Sequence, residues 1–371
     1  MRILHIGKYY TDVIGGIQSH IRDLASMQKI TDQVTILVAN TIPNTIHYKQ
    51  DGLEFIKVAS IGTIASVPIS ITFPFWLKKI SKNYDIMHFH LMNPLSVVSM
   101  LITRPNCKIV ATFHNDVIKQ SMIYKLSSWL TSIFLRKIHK IIITSPNILN
   151  TSELLKVNAS KCVIVPLGIN TDKFIMTRFI DKNITQIKEN FGGGIILFIG
   201  RLVDYKGVKY LIEAMNKVQG NLIIIGEGPL LSNLKQQVHT LGLKAKIHFL
   251  GKVSEEILPA YYYACDLFVL PSINNSEGYG LVQLEAQICG KPVISTDLPT
   301  GVPFVNVHNK TGLIVKTRDS DEISNSINIL LHNRKLRLKL GEFGQKRVYQ
   351  NFTRAKMKKN TDVVYNKLLK N

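Results

Sequence analysis

Two carboxylates eight positions apart, Glu277 and Glu285, lie in the segment of the sequence that is richest in residues able to take part in a reaction. Residues 271–286 follow a short apolar run and lead into an amphipathic one, which places Glu277 in a loop after a strand and Glu285 within the next helix. Gly278 and Gly280 leave backbone N–H groups open beside Glu277. A carboxylate on the ligand-facing side of a helix needs hydrogen-bond partners, and ribose hydroxyls would supply them.

Two cations and a glycine pair suit the binding of phosphate. Arg201 leaves the end of an apolar run and Lys206 precedes a helix pattern, so both can converge on one diphosphate. Gly15 and Gly16 stand between the first predicted strand and the first predicted helix. Glycines at that point let the backbone approach a phosphate at the positive end of the helix dipole.

Two other classes of site are not supported. The Gly-x-Gly-x-x-Gly spacing of dinucleotide enzymes is absent after the first strand, at residues 192–197 and at residues 226–231, which argues against an oxidoreductase. Asp319 and Asp321 match the letters of a metal-binding Asp-x-Asp motif. They precede an amphipathic helix, however, and Asp319 with Glu322 is typical of a helix cap. We therefore expect no metal and no bound cofactor.

The positioning elements are two series of apolar, β-branched runs that alternate with amphipathic segments, the pattern of parallel strands joined by helices. The chain of 371 residues is long enough for two such domains. The predicted strands are residues 2–7, 34–39, 54–58, 86–90, 108–113, 140–144 and 163–165, then 194–200, 222–225, 247–250, 267–270, 292–295 and 313–315.

This pattern predicts an α/β fold of two Rossmann-like, doubly wound lobes facing across a cleft, with ligands beyond the carboxyl ends of the strands. The predicted domains are a first lobe over residues 1–168, a second lobe over 169–352 and a helix over 353–371. A helix break is expected at residues 351–353. Residues 58–77 carry no charge but contain two prolines, and we interpret them as a buried or cleft-side loop.

The two carboxylates match the Glu-x7-Glu signature, and nearly the whole chain resembles the retaining GT-B glycosyltransferases of family four. The matching segments are residues 15–16, 112–116, 200–201 with 206–207, 226–229, 264–266 with 271–272, and 277–292. The resemblance implies a metal-independent hexosyl transfer from a nucleotide diphosphate sugar, with retention at the anomeric carbon. Negative charge would grow on the leaving phosphate and positive charge on the sugar ring.

The resemblance also implies that residues 1–168 bind the acceptor, that residues 169–352 bind the donor, and that the helix over 353–371 packs back on the first lobe. It further implies roles for individual residues. Glu277 would hydrogen-bond the transferred sugar, Glu285 the ribose, and His114 would lie beside the reacting sugar on the acceptor side. The residues expected to bind the donor are Gly15, Gly16, Arg201, Lys206, Gly226, Gly278, Tyr279, Gly280, Leu281 and Glu285.

Residues 294–306 are similar to a segment of bacterial mannosyltransferases of capsule, exopolysaccharide and O-antigen assembly. That similarity implies GDP-mannose as donor and a polyprenyl-diphosphate-linked glycan as acceptor. UDP-glucose, UDP-galactose and UDP-N-acetylglucosamine stay open as donors. A sugar-nucleotide epimerase on the same fold is the alternative from another class.

The net charge of +21 attracts polyanions. Residues 117–165 hold seven basic residues against one acidic residue, interleaved with aromatic and aliphatic groups, a composition that favours an anionic membrane surface. No nucleic-acid-reading module is evident. The residues expected to contact the membrane are Lys125, Trp129, Phe134, Arg136, Lys137 and Lys140.

The chain shows neither a signal peptide nor paired cysteines: its first apolar run is short and its four cysteines are scattered. We therefore expect a cytoplasmic protein, peripheral on the inner face of the plasma membrane.

Overall fold

The chain folds into two compact units. The computed structural model describes residues 1–9, 16–64, 67–114 and 122–370, without the side chains of 122–125. Unit 1 comprises Met1–Gly168 together with Arg354–Asn371, and unit 2 comprises Ile169–Thr353.

Unit 1 is built on an eight-stranded sheet. Its strands are β1 (Arg2–Ile6), β2 (Gln33–Ala39), β3 (Ile46–Gln50), β4 (Leu53–Val58), β7 (Ile86–Leu91), β8 (Lys108–Phe113), β9 (Lys140–Ile143) and β10 (Cys162–Ile164), and a separate hairpin pairs β5 (Gly62–Ile64) with β6 (Val67–Ile69). Its helices are α1 (Gly16–Gln28), α2 (Phe73–Ser81), α3 (Pro94–Thr103), α4 (Met122–Lys137), α5 (Pro146–Thr151), α6 (Glu153–Lys156) and the C-terminal α15 (Arg354–Lys370).

The strand order of this sheet is β10-β9-β8-β7-β1-β2-β4-β3, and only β3 pairs antiparallel. One face of the sheet packs an apolar core that includes Leu4, Met87 and Phe89. The other face packs Ile3 and Ile86 together with residues of α1 and α15. From β1 the chain continues to β2 on one side of that strand and later to β7 on the other side. The topological switch point therefore lies between β1 and β7.

Unit 2 contains a six-stranded, wholly parallel sheet of order β13-β12-β11-β14-β15-β16. Its strands are β11 (Ile195–Ile199), β12 (Asn221–Ile225), β13 (Ile247–Gly251), β14 (Leu267–Leu270), β15 (Val293–Thr296) and β16 (Gly312–Val315). Its helices are α7 (Arg178–Phe191), α8 (Val208–Ala214), α9 (Leu231–Thr240), α10 (Leu258–Ala264), α11 (Leu281–Ile288), α12 (Val302–Val305), α13 (Ser320–His332) and α14 (Arg334–Asn351). The switch point lies between β11 and β14.

The prediction of a loop over residues 58–77 is wrong. The segment forms the β5–β6 hairpin and the start of α2, where Pro74 occupies the first turn. Proline is tolerated there because the first N–H groups of a helix have no partner within the helix. The sequence analysis also missed β3, an edge strand of which only Tyr48 is partly buried.

Two smaller predictions about the helical tail are confirmed. Helix α14 ends at Asn351 and α15 begins at Arg354, with Phe352 fully buried between them. The Asp319 carboxylate caps α13 by accepting a hydrogen bond from the Glu322 N–H at 2.8 Å. This acceptor role is what the capping interpretation requires.

Candidate active site

In unit 2 the polar residues gather at the carboxyl ends of the two strands that flank the switch point. Gly200 and Arg201 follow β11, and the loop that carries Glu277 follows β14. Arg201 is exposed. Gly200 directly precedes Arg201, and a Cβ atom added at Gly200 would lie 3.6 Å from the Lys206 ammonium. Both cations therefore occupy the same edge of the sheet. This is the edge at which open α/β sheets bind ligands.

The centre of this site is an ion pair between Lys206 and Glu277. Lys206 Nζ donates to Glu277 Oε2 at 2.5 Å, and the two side chains are 11% and 9% exposed. The hydroxyl of Ser272 donates to the same carboxylate oxygen at 2.9 Å. Two charges this deeply buried persist because each satisfies the other and a hydroxyl adds a further bond. Ser272 was not predicted as part of the site.

Two glycines with positive φ let these loops approach each other. Gly207 has φ +65°, and a Cβ atom there would lie 2.1 Å from the carbonyl oxygen of Pro271. Gly226 has φ +135°, and its Cβ would lie 2.0 Å from the carbonyl oxygen of Gly200. A side chain fits neither position. The glycines therefore hold the Lys206 turn against the end of β14 and the loop after β12 against the end of β11.

The loop from Gly278 to Leu281 leads directly into α11. Gly280 adopts φ +68° immediately before the helix, which begins at Leu281. The Gly301 N–H donates to the Gly278 carbonyl at 2.8 Å, which connects this loop to the residues just before α12. The Tyr279 ring is buried, so backbone is the part of these residues suited to a ligand.

Glu285 is half-buried and its carboxylate is oriented by a tyrosine. The Tyr262 hydroxyl donates to Glu285 Oε2 at 2.6 Å. Burial, followed by the charge of Glu285, raises the pKa of Tyr262 well above its ordinary value, so the tyrosine stays a donor and Glu285 an acceptor. Sequence reasoning missed Tyr262. Its signal is a hydroxyl on a buried face of α10, which requires a partner.

In unit 1, His114 directly follows β8 and is 8% exposed. Burial lowers its pKa to about 3, which keeps the imidazole neutral. Its Nε2 lies 3.4 Å from Nδ1 of His90. Gly16 is exposed at the first position of α1. Gly15 lies outside the described residues.

The predicted membrane stretch contains both exposed and buried residues. Trp129 is 59% exposed on α4, and Arg136 and Lys137 are exposed at its end, while Lys140 is half-buried. The prediction for Phe134 is wrong: this residue is fully buried. Its ring lies 5.2 Å from that of Phe89 in the core. The Lys125 side chain lies outside the described part of the chain.

Further apolar side chains are exposed on α4 and on or beside α2 and α3. The sequence analysis did not single them out: Ile71, Phe75, Ile102 and Leu126, each at least 59% exposed. Helix α3 packs between α2 and α4. None of the helices in the described part of the chain combines the length and apolar composition that a membrane crossing needs.

A cavity of about 760 Å³ in unit 1 lies away from these residues. It is lined by Arg2, Gln33, Leu53 and Trp76, among others. Arg2, Gln33 and Leu53 are the first residues of β1, β2 and β4. The cavity therefore lies at the amino ends of these strands, opposite the carboxyl ends of β1 and β8. We do not assign the reaction to this cavity because parallel α/β sheets bind ligands at their carboxyl ends.

Comparison with known proteins identifies the family. Residues 179–347 match the model of glycosyl transferases group 1, and residues 14–173 match that of glycosyltransferase family 4. D-rhamnosyltransferase WbpZ of Pseudomonas aeruginosa is 30% identical over 320 residues, which cover 85% of this chain and 82% of that protein. O-antigen chain mannosyltransferase C of Escherichia coli is 28% identical over 357 residues, 95% of each chain.

A solved structure supports the same fold. The structure of Anabaena Alr3699/HepE in complex with UDP superimposes with a TM-score of 0.79 at 17% identity, covering 99% of this chain and 100% of that chain. The chain therefore belongs to the family 4 glycosyltransferases and has the GT-B fold of two Rossmann-like units.

Proposed function

We propose that this glycosyltransferase moves α-mannose from GDP-mannose to a lipid-linked glycan in surface polysaccharide assembly, with retention at the anomeric carbon. The observation that supports this most is the buried Lys206–Glu277 pair with Ser272, next to Arg201 at the switch point of unit 2. This arrangement offers two cations to a diphosphate and a carboxylate to sugar hydroxyls.

The proposed step needs charge stabilisation more than proton transfer by the protein. The acceptor hydroxyl oxygen forms a bond to C1 while the bond from C1 to the diphosphate oxygen breaks, and the electron pair leaves with GDP. The hydroxyl proton passes to the departing diphosphate oxygen on the same face. Arg201, Lys206 and the backbone amides at the start of α11 stabilise the developing negative charge.

We propose that the donor site works without a metal. Its two cations supply the positive charge that a divalent ion supplies in other transferases. Asp319 is the first residue of the Asp-x-Asp sequence, and its carboxylate already accepts the capping hydrogen bond of α13. Turnover in the presence of EDTA tests this part.

The names of the relatives support a donor sugar of manno configuration. One relative is named a mannosyltransferase and the other a D-rhamnosyltransferase, and D-rhamnose is 6-deoxymannose. The names of both relatives thus point to the same ring stereochemistry, with a difference at C6. A UDP-sugar is the alternative donor. Conversion of a donor in the absence of an acceptor would favour the epimerase instead.

We propose a polyprenyl-diphosphate-linked glycan as the acceptor of unit 1, with His114 beside the reacting hydroxyl. Such an acceptor is anchored in a membrane. The exposed apolar residues Phe75, Leu126 and Trp129, together with the exposed cations Arg136 and Lys137, suit contact with an anionic surface. The proposed location is the cytoplasmic face of the plasma membrane.

The test is a donor panel that contains GDP-mannose, GDP-D-rhamnose and the three UDP-sugars, with EDTA and with Glu277→Ala as control. We expect selective turnover of GDP-mannose by the wild type and loss of that turnover in the variant. Preference for a UDP-sugar would overturn the donor assignment. Absence of nucleotide binding would overturn the site.

A further inference from the structure

Five histidines are buried on one face of the unit 1 sheet. They are His5 in β1, His20 in α1, His88 and His90 in β7, and His114 after β8, and the most exposed of them reaches 8%. His5 and His88 are register partners on adjacent strands. Alternation along β7 places His88 and His90 on the same face. Only His114 entered the proposed function.

Three of these histidines form a hydrogen-bonded chain that begins at a glutamine. Gln28 Oε1 lies 2.7 Å from His5 Nε2, and His5 Nδ1 lies 3.0 Å from His90 Nε2. His90 Nδ1 in turn lies 3.4 Å from His114 Nε2. Gln28, His5 and His90 are at most 1% exposed, whereas His114 is 8% exposed. The chain therefore runs from the interior to the member with most access to solvent.

The glutamine carbonyl sets the direction of every bond in this chain. In the amide orientation of this structure the Gln28 carbonyl oxygen faces His5, and since a carbonyl oxygen only accepts, His5 carries its proton on Nε2. Burial lowers the pKa of His5 to about 4 and that of His90 well below its ordinary value, so each ring is neutral and holds one proton. His5 Nδ1 must then accept from His90 Nε2, and His90 Nδ1 must accept from His114 Nε2.

We propose that Gln28 is a positioning residue that, through His5 and His90, fixes His114 in the Nε2–H tautomer. His114 then presents Nδ1 as a hydrogen-bond acceptor to a hydroxyl group. That the hydroxyl belongs to the sugar or the acceptor rests on the proposed function. The tautomer is a property of unit 1 alone.

The two remaining histidines lie outside the chain. His88 bonds to the Tyr365 hydroxyl and to Thr112 Oγ1, both at 2.6 Å. His20 packs edge-on against His114 with 4.8 Å between ring centroids, and neither of its ring nitrogens has a hydrogen-bond partner among the described residues.

A metal ion is the competing occupant of this cluster. One ring nitrogen from each of His20, His90 and His114 lies within 4.8 Å of the others, and neutral imidazoles are good zinc ligands. An ion bound there would replace the proton between His90 and His114. Measured metal content therefore separates the two arrangements.

The direct test is the tautomeric state of each ring, read by NMR of protein labelled with ¹⁵N-histidine between pH 6 and 8. Single His→Gln variants assign the signals. We expect His5, His90 and His114 to carry the proton on Nε2 in the wild type. A proton on Nδ1 of any of the three, or one equivalent of bound metal, would overturn the proposal without any variant.

The variant Gln28→Met removes the acceptor at nearly constant volume. We expect the tautomer ratio of His114 to shift about fivefold toward Nδ1–H, the factor that one neutral hydrogen bond represents. Thr112→Val is the matched control, because it removes a buried hydroxyl that bonds to His88 and that takes no part in the bonds of the chain. An unchanged His114 ratio in folded Gln28→Met would contradict the proposal.

Kinetics provide a second readout. If His114 acts through Nδ1, Gln28→Met lowers kcat in proportion to the fraction of His114 that leaves the Nε2–H tautomer, by at most about fivefold. The KM for the donor, whose nucleotide part is proposed to bind unit 2, changes little. The expected tautomers without any sugar transfer would count against the proposed function alone. Sugar transfer with mixed tautomers at His114 would count against the chain alone.

Discussion

Lys206 and Glu277, 71 positions apart in the sequence, meet at 2.5 Å between Nζ and Oε2 with both side chains about one-tenth exposed. Because water reaches this pair so little, each charge depends on the other. The pair thus holds, in the same small volume, the carboxylate that we propose binds the sugar and one cation that we propose binds the diphosphate.

Breaking this pair from one side should be costly, and removing both partners much less so. We expect Lys206→Met or Glu277→Leu to lower the free energy of unfolding by about 3 kcal/mol each, and the double variant to regain at least half of the summed loss. Chemical denaturation of the four proteins measures the coupling. The exposed pair Lys346–Glu342 serves as control and should show no measurable coupling, because water screens both charges. Additive losses at Lys206 and Glu277 would refute the interdependence.

Arg201 should recognise the diphosphate rather than the base. We expect Arg201→Ala to weaken GDP binding about 10- to 100-fold and to change GMP binding much less, because a charge-assisted bond to the second phosphate is lost. Calorimetric titration with both nucleotides measures the difference. The neighbouring exposed cation Lys209 provides the control variant Lys209→Ala, which should bind both nucleotides normally. An equal loss for GDP and GMP would remove Arg201 from this role.

The buried histidines should make unit 1 sensitive to acid. Their pKa values in the folded state lie below those in the unfolded chain, about 4 for His5 and about 3 for His114. Below pH 6.5 the unfolded chain therefore binds protons that the folded unit does not. The free energy of unfolding therefore falls as the pH drops below about 6.5, by at most about 1.4 kcal/mol per pH unit for each histidine. Above about pH 7.5 it is constant.

The variant His20→Gln tests this linkage, since His20 makes no hydrogen bond to the described residues. Burial also lowers its pKa well below the ordinary value. We expect a shallower loss of stability between pH 6.5 and 4.5, measured by denaturation at stepped pH. His332→Gln, at an exposed position of unit 2, should leave the slope unchanged. An identical slope in His20→Gln would show that this histidine is not buried in its neutral form.

Binding to anionic vesicles should depend on the exposed residues of α4 and its flank. Neutralising Lys125, Arg136, Lys137 and Lys140 should lower co-sedimentation about fivefold per residue that faces the surface, and Trp129→Ala should lower it further. Phe134→Ala is the informative contrast because Phe134 is buried. It should cost about 3 kcal/mol or more of stability and leave the partitioning of the folded protein unchanged. Unaltered partitioning of the four-residue variant would exclude the electrostatic contribution.

The sequence predicts those features that depend on local composition. Strands β8 and β14 have the predicted bounds because buried parallel strands are continuous apolar runs. Edge strand β3 lacks such a run. Trp129 and Phe134 occur in the same basic, aromatic stretch, but they are five residues apart, about 140° around a helix. Only packing against the sheet decides which of them is buried.

The candidate site likewise combines features that the sequence predicts with contacts that it does not predict. The spacing and flanking residues of Glu277 and Glu285 are visible in the sequence, and the structure places Glu277 in the loop after β14 and Glu285 within α11. The ion pair with Lys206 and the Tyr262 bond to Glu285 require contacts between distant segments. The histidine chain likewise joins α1, β1, β7 and the end of β8. No local pattern encodes these contacts.

The most direct measurement is transfer from GDP-mannose labelled with ¹³C at C1 to a polyprenyl-diphosphate-linked glycan, with NMR of the product at the anomeric carbon and EDTA present. We expect an α-linked mannose from the wild type, a kcat at least about 100-fold lower for Glu277→Gln, and a normal kcat for the surface variant Glu342→Gln. A β-linked product, or full activity in Glu277→Gln, would contradict the account.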